Sequence, residues 1–314
     1  MYQHIAVDDE ARVAPVLPQS KLPARPGMLA RVGSVILSNR KALVGVIILA
    51  AIVVTAVFAP VLAPYDPNAT VGPPGAPPSH AFWLGTTSQG QDILSQLIWG
   101  SRETLIIGIV AGLAATMLAV LIGVSAAYLG GVADNLLSSV TDIFLVIPAL
   151  PLMIVIAAYA RGGGMWVLIG VIAITGWSFG ARQLRPQARS LRNREFRESA
   201  RVRGENSAYV IVFEVLPNMV SLIVAIFLGA ALYAILAAAG LQFIGLGNPS
   251  DLSWGTMLYW GENNEALMTG SPLWIVAPGT CIALLGASVA FINYAVDELA
   301  NPSLRGARRK RAKK

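Results

Sequence analysis

The sequence predicts an all-α, polytopic membrane protein with six transmembrane helices. Of its 314 residues, 55% are hydrophobic and only 13% are charged, against about 25% charged in ordinary soluble domains. Six stretches are apolar over the ~20 residues that a helix needs to cross a bilayer. The Lys and Arg residues are concentrated in the connections that six alternating spans would place on one side, which is typical of integral membrane proteins.

The six predicted spans differ in regularity. We place them at residues 41–63, 104–128, 137–159, 165–183, 218–244 and 273–296. The third is the least regular, because Pro148 and Pro151 in FLVIPALPLMIV remove two backbone donors. A membrane helix tolerates such prolines where neighbouring helices or cavity water compensate. A kink is the simpler interpretation, and a role in a substrate pathway is the alternative.

Small residues are frequent in spans two, five and six. Span two contains a G-x-x-x-G formed by Gly108 and Gly112. Small residues at this spacing let helix backbones approach closely. We therefore expect a tight helical bundle, with these residues packed inside the chain or against a second subunit.

The basic residues predict the orientation. Of the 23 Lys and Arg, 21 precede the first span, separate the fourth from the fifth, or follow the sixth. Because such residues accumulate in cytoplasmic loops, we place both termini in the cytoplasm. The predicted organisation comprises a cytoplasmic tail (1–40), a first span with an external Pro-rich segment (41–103), a five-span core (104–297) with a cytoplasmic loop at 184–217, and a basic tail (298–314).

The basic tail RGARRKRAKK has the composition of a nucleic-acid-binding segment. Because it directly follows a span, a topology anchor that contacts anionic lipid is the better interpretation. Membrane lipid is therefore an expected partner, and nucleic acid is not.

Residues suited to catalysis are scarce. No G-x-x-x-x-G-K-[ST] loop occurs, so we expect this chain itself to bind no ATP. Two histidines and a single cysteine, Cys281, provide neither a metal cluster nor a Cys/His pair. The sequence thus predicts a non-enzymatic chain with no catalytic residue, no metal site and no cofactor of its own.

Two long external connections are predicted. Residues 64–103 are rich in proline and end in a short amphipathic helix, residues 92–99, that leads into span two. Residues 245–272 are too polar to span a membrane. Their aromatic residues are consistent either with a solvated loop anchored at the interface or with a lip over a pore mouth that meets a partner. The residues proposed for the lip are Trp254, Tyr259, Trp260 and Glu262.

The largest internal cytoplasmic connection contains ESARVRGENSAYVIVFEVLP, residues 198–217. A helix is predicted up to Arg203, and Gly204 can end it because glycine adopts a positive φ without penalty. A second short helix is predicted over residues 206–215. Pro217 then falls in the first turn of span five, where a missing N–H costs little. The pattern predicts a helix–turn–helix elbow, with Ser199 and Ala200 as small contact residues.

At the elbow the sequence resembles a known signature. E-S-A-x-x-x-G, nine residues and E-x-L-P are similar to the EAA signature, E-A-A-x-x-x-G-x9-I-x-L-P, of permease subunits in bacterial ABC importers. Ser199 replaces the middle alanine and Glu214 the isoleucine. The matching residues are Glu198, Ala200, Gly204, Leu216 and Pro217.

The resemblance extends over about residues 35–306. The segment FWLGTTSQGQDILSQLIWGSRETLIIG resembles the region before span two in C-type permeases of dipeptide, oligopeptide and nickel importers. Thr87 and Gln91 stand where that group usually has aspartate and arginine. GLQFIGLG, SWGTML and NPSLRG also resemble the end of that group.

This resemblance implies a type I ABC importer permease fold in the bacterial plasma (inner) membrane. The implied partners are a homologous permease subunit, two cytoplasmic ABC ATPase subunits that bind ATP and Mg, and an external substrate-binding protein. The elbow would dock on an ATPase as a coupling helix. The implied coupling residues are Glu198, Ser199, Ala200, Gly204, Leu216 and Pro217.

The implied cargo is a short peptide, a dipeptide or oligopeptide, with nickel chelates or other peptide-like solutes as the alternative. An ATP-independent channel or secondary transporter is the alternative of another class. Few ionisable residues lie within the predicted spans, apart from Asp142 near an end, and this counts against an ion-coupled carrier. A scaffold that moves no solute would leave the elbow unexplained.

Overall fold

The computed structural model describes residues 39–160, 163–192 and 204–300, and over these ranges it is almost entirely helical. The first membrane helix is α1 (Arg40–Val57), followed by the short α2 (Ala59–Leu62). Next come α3 (Ile93–Leu129), α4 (Gly131–Val146), α5 (Ala149–Tyr159) and α6 (Gly164–Arg192). The last elements are α7 (Ser207–Val210), a π-helical turn (Ile211–Val215), α8 (Leu216–Phe243), α9 (Trp254–Asn263) and α10 (Leu273–Ala300).

In the described ranges, five helices are long and apolar enough to cross a membrane, and the pair α4 and α5 makes a sixth if both belong to one span. The predicted six-span, all-α membrane fold is thus confirmed. The two halves of the pair meet at 88°, at a break that contains Ile147 and Pro148. The break arises where sequence analysis expected a kink, because a proline inside a helix removes a donor and crowds the preceding turn.

Helix α3 is longer than predicted. The expected short helix at residues 92–99 and span two form one helix of 37 residues. Asp92 caps its first turn, since a carboxylate oxygen accepts from the Ser95 N–H at 2.8 Å and from the Ser95 hydroxyl at 2.6 Å. The charges of Arg102 and Glu103 do not interrupt the helix.

The bundle is built around α3, which packs along α6 and α8. The G-x-x-x-G of span two faces α8 within the chain: a Cβ added to Gly112 would lie 2.7 Å from the Ala231 Cα. Farther along α3, Gly123 makes a similar approach to Ala181 of α6. Glycine at these positions therefore allows backbone-to-backbone packing.

The two ends of the bundle carry different connections. Residues 64–92 and 245–272 lie against each other at one end, here called the lip end: the Ser88 hydroxyl donates to the Asn264 side-chain oxygen at 2.8 Å, and Ser271 contacts Thr86. The opposite end, here called the elbow end, holds the start of the Ser207–Phe243 helix and the end of α6. Each end has its own buried apolar cluster.

Candidate functional site

The described part of the elbow begins at Gly204. This residue is exposed and has φ +73°, so the predicted left-handed turn is confirmed. Asn206 then caps α7, with its side-chain oxygen accepting from the Ala208 N–H at 3.3 Å. Glu198, Ser199 and Ala200, predicted to contact an ATPase, lie outside the described residues, as does the rest of the segment 193–203, for which a helix was predicted.

The second half of the elbow differs from its prediction. We expected a short helix over residues 206–215 followed by a separate span five, but helical structure is continuous from Ser207 to Phe243. A proline ring crowds the carbonyl four residues earlier, and the π-helical turn just before Pro217 widens the helix at that point. Residues 207–217 of the elbow and span five therefore form one continuous helical element.

The elbow is anchored to the bundle by apolar packing. Val210 and Val215 are 1% and 0% exposed, in one cluster with Leu184 and Leu191 of α6 and with Tyr128 of α3. Full burial of a side chain such as valine stabilises by roughly 1.5 to 3 kcal/mol. The connection between α6 and α8 is thus fixed to the helices on both sides at its C-terminal half.

The opposite face of the elbow is open. Tyr209 and Phe213 are exposed, with ring centroids 4.7 Å apart. Pro217 is exposed and Leu216 is partly buried against the elbow-end cluster. Of the predicted coupling residues that are described, Gly204 and Pro217 are accessible to a partner and Leu216 mainly holds the helix in place.

At the lip end, the structure adds a helix that the sequence analysis had interpreted as loop or lip. Helix α9 starts with a reciprocal cap: the Ser253 hydroxyl accepts from the Thr256 N–H at 3.1 Å, and the Thr256 hydroxyl accepts from the Ser253 N–H at 2.9 Å. The sequence signal was the S-x-x-T spacing in SWGTML, which resembles a capping box.

Trp254 does not form the outer surface expected of a lip residue. It is 2% exposed, its indole N–H donates to the Leu97 carbonyl at 2.9 Å, and its backbone N–H donates to the Thr104 hydroxyl at 3.1 Å. A buried tryptophan needs such a partner for its N–H, and α3 provides it. Trp254 therefore attaches α9 to α3 and is not itself accessible to an external protein.

The other three lip residues are more accessible. Trp260 and Glu262 are exposed, and Tyr259 is half-buried with its ring edge-on to Trp260 at 5.2 Å. The Trp260 indole N–H donates to the Pro249 carbonyl at 2.9 Å, which fixes the ring on the preceding loop. A partner at the lip would meet Trp260 and Glu262 first.

A buried polar network, missed in the sequence, joins the lip to the spans. Gln242, at the end of α8, is 5% exposed. Its side-chain N–H donates to Glu103 of α3 at 3.3 Å, and its oxygen accepts from the Ser253 hydroxyl at 2.8 Å. Buried amides are held by such partners because an unpaired polar group is costly. One side chain thus connects α3, α8 and the N-terminus of α9.

We expect Gln242→Met to loosen the lip. Methionine keeps the approximate volume but removes both hydrogen bonds, and leaving buried partners unpaired costs about 1 to 3 kcal/mol. Amide hydrogen exchange of residues 254–263 in the purified protein should become faster. Asn263→Ala is the control, because that side chain bonds only to the Tyr259 carbonyl of its own helix and its loss should leave exchange elsewhere in α9 unchanged.

Thr87 and Gln91, the two departures from the resembled C-type segment, lie in one turn. The Thr87 hydroxyl accepts from the Gln91 N–H at 3.2 Å, and the Thr87 N–H donates to the Gln91 carbonyl at 2.9 Å. The Gln91 side chain also donates to Asn68 and accepts from Gln96. This chain therefore holds the turn together with neutral side chains.

Ion pairs tie α4 to α6 at the elbow end. The Arg185 guanidinium donates to Asp134 at 2.9 Å, with the aspartate side chain 10% exposed. Arg182 and Asp142 approach to 3.7 Å on the surface, where such pairs contribute about 0 to 1 kcal/mol. The Arg185–Asp134 pair, which is shorter and less exposed, is the firmer connection between the broken span and the helix that leads to the elbow.

A cavity of about 670 Å³ opens beside the broken span. It is lined by the break itself, residues 144–149, and by parts of α3, α6, α8 and α10. Sites for small ligands commonly enclose about 300 to 1,000 Å³. Pro148 was the sequence signal for this feature, because a role in a substrate pathway is the alternative to a simple kink at that residue.

Comparison with known proteins adds the family. Residues 119–305 match the family described as binding-protein-dependent transport system inner membrane component, and residues 28–78 match the N-terminal transmembrane domain of oligopeptide transport permease C. The chain belongs to the C-type oligopeptide permeases of ABC importers. Together the two matches span the predicted first helix, the elbow and the lip.

Two relatives illustrate the extent of the similarity. The oligopeptide transport system permease protein OppC of Mycobacterium tuberculosis is 32% identical over 283 residues, which cover 87% of this chain and 94% of that protein. The protein of the same name from Bacillus subtilis is 30% identical over 272 residues, which cover 85% and 87% respectively. The similarity to C-type permeases therefore runs through nearly the whole length of the chain.

Membership in the C-type permeases identifies the molecule as a multi-pass membrane subunit of an ABC importer, which works in a complex with other subunits. It also confirms the resemblance inferred from the elbow, the segment before span two and the closing motifs. The elbow and the lip are then the two ends of a permease subunit, and α8 is the helix that runs between them.

Proposed function

We infer that this chain is the permease subunit of an ABC importer for short peptides and forms half of the translocation pathway. The observation that carries this proposal is the elbow, whose spacing matches the EAA signature and whose described half is anchored to α3 and α6. The peptide cargo is supported by the relatives, which are named oligopeptide transport system permease proteins.

Coupling is proposed to run through the elbow. An ATPase docked on Gly204, Pro217 and the undescribed residues Glu198, Ser199 and Ala200 would move the start of the Ser207–Phe243 helix when it closes. A ligand can shift a conformational equilibrium only through contacts that differ between the two states. The anchored elbow supplies such contacts, because it cannot move without displacing α6 and α8.

At the lip end, an external binding protein would meet Trp260 and Glu262, with Tyr259 behind them. The chain would complete its pathway with a homologous permease, and ATP and Mg would bind to the ATPase subunits alone.

Co-purification and uptake test the function. When the tagged chain is expressed together with the other subunits of its importer, it should co-purify with a second permease and two Walker-containing ATPases. The complex reconstituted in proteoliposomes should then accumulate a radiolabelled tripeptide when ATP and the binding protein are supplied. The purified chain alone should neither bind nor hydrolyse ATP. Uptake of a nickel chelate without peptide uptake would favour the alternative cargo, and uptake without the ATPases would contradict the importer mechanism.

Cysteine labelling tests the proposed orientation. In a Cys281→Ser background, cysteines at the exposed positions Ser79 and Ser250 should react with an impermeant thiol reagent in intact cells, whereas one at the exposed Ser190 should react only after lysis. The expected difference follows from placing the lip outside and the elbow in the cytoplasm. Labelling of Ser190→Cys in sealed cells would reverse that orientation.

A further inference from the structure

The cavity beside the broken span combines an apolar wall with uncharged polar side chains. None of the described residues that line it is Asp, Glu, Lys or Arg. Much of the wall consists of Gly and Ala, with aromatic rings among them. The polar side chains in the lining are Thr116, Thr175, Ser178, Gln183, Tyr233 and Asn293. The cavity is therefore neutral and amphipathic, which suits a flexible solute with both apolar and polar parts.

The break in the third span places backbone acceptors at this wall. Helix α4 ends at Val146, and α5 resumes at Ala149. Among the described groups, none donates to the carbonyls of residues 144–147, because Pro148 has no N–H and the chain turns by 88°. All four residues line the cavity. A helix C-terminus carries about half a negative charge, and broken membrane helices are tolerated where they line a cavity.

The side chains add further acceptors. The hydroxyls of Thr116 and Thr175 donate their hydrogens to the carbonyls of Gly112 and Val171 in their own helices, at 2.7 and 2.8 Å. What these oxygens retain for a ligand is lone pairs. The Asn293 side-chain oxygen is buried with no hydrogen-bond partner. The lining also contains side chains that can donate, such as Ser178, Gln183 and Tyr233. At the break itself, however, the free backbone groups are all carbonyl acceptors.

We propose that this cavity is a transit site for the hydrogen-bond donors of a peptide, its backbone amide N–H groups and its α-ammonium. The proposal rests on the peptide cargo inferred above and specifies how this chain contacts it. The carbonyl acceptors at the break can pair with a peptide backbone whatever its side chains, and the described lining has no formally charged side chain that would form an ion pair with the peptide. Phe144, Trp177 and Tyr233 give apolar side chains a surface.

Gly229 allows a clean test. It lines the cavity on α8, and a Cβ added there would meet nothing within 4 Å. Gly240 is the matched control: it lies on the same helix, a Cβ there also meets nothing within 4 Å, and it is not part of the lining. In the complete importer, Gly229→Phe should reduce tripeptide uptake at least tenfold with assembly unchanged, and Gly240→Phe should leave uptake near the wild-type value.

Disulfide trapping identifies the occupant. With Cys281→Ser, the probe is a tripeptide whose cysteine is activated as a 2-pyridyl disulfide, delivered by the binding protein during ATP turnover. The Gly229→Cys thiolate should attack this disulfide, release pyridine-2-thione and form a mixed disulfide with the peptide, whereas Gly240→Cys should not. A depsipeptide, in which one amide N–H is replaced by an ester oxygen, should be trapped several-fold less at matched occupancy of the binding protein.

Three results would overturn the proposal: equal trapping at both cysteines, equal trapping of peptide and depsipeptide, or loss of the partner permease from Gly229→Phe complexes, which would assign the cavity to the subunit interface. If the wild-type importer moves no peptide, the proposed function itself fails. If the wild-type importer moves peptide and the Gly229→Phe importer moves it equally well, only the proposal for this site fails.

Discussion

Gly204→Val should abolish most transport while leaving the bundle intact. The residue adopts φ +73° with open space around its Cα, so valine meets no neighbour and acts only by resisting the left-handed conformation. That strain costs about 1 to 2 kcal/mol, which lowers the population of the correct elbow conformation by roughly 5- to 30-fold. ATP-driven peptide uptake and retention of the ATPases in pull-downs should both fall.

Gly270→Val is the matched control for this experiment. Gly270 has φ +87° and equally open surroundings, but it lies at the lip end. The same strain should therefore appear there without loss of the ATPases. If both variants bind the ATPases as the wild type does, and Gly204→Val transports normally, the elbow is only a connecting segment and the coupling proposal is wrong.

Gly112→Leu and Gly123→Leu should destabilise the bundle itself. A Cβ at Gly112 would lie 2.7 Å from the Ala231 Cα and N, and a Cβ at Gly123 would lie 2.5 Å from the Ala181 carbonyl oxygen. Because backbone cannot rotate away as a side chain can, α3 would have to separate from α8 or α6. Overpacking typically costs about 1 to 3 kcal/mol and occasionally more, and leucine adds three further carbons.

Thermal unfolding in detergent measures this effect. Both variants should unfold several degrees below the wild type and should accumulate poorly in the membrane. Gly170→Leu is the control, because a Cβ on that glycine of α6 meets nothing within 4 Å. If Gly112→Leu unfolds at the same temperature as the wild type, α3 and α8 pack less closely than the structure indicates.

The elements that the sequence predicted well are those with a local cause. The spans follow from hydrophobic length, the break from the missing N–H of Pro148, and the turn at Gly204 from the freedom of glycine. Each of these features depends on a few residues that are neighbours in the sequence, so the sequence alone is sufficient to predict it. The elbow spacing was equally local, and it led to the correct family.

The errors have tertiary causes. The sequence analysis separated a short helix at residues 92–99 from span two, but the structure has one helix in which Glu103 bonds to Gln242, 139 residues away. Trp254 resembled an interfacial aromatic, but a groove between α3 and α8 buries it. The cavity is lined by residues of six helices, α3 to α6, α8 and α10, and no local pattern predicts how these helices come together.

The unbroken helix from Ser207 to Phe243 connects the elbow end to the lip end as one element, so a small tilt at one end gives a larger displacement at the other. Its 37 residues extend over about 55 Å at 1.5 Å per residue, with Val215 fixed near one end and Gln242 near the other. A tilt of 10° about Val215 would displace Gln242, about 40 Å farther along the helix, by roughly 7 Å. If the proposed coupling runs through this helix, linkage makes it reciprocal: a partner at the elbow end that changes the affinity for a partner at the lip end by some factor must have its own affinity changed by the same factor.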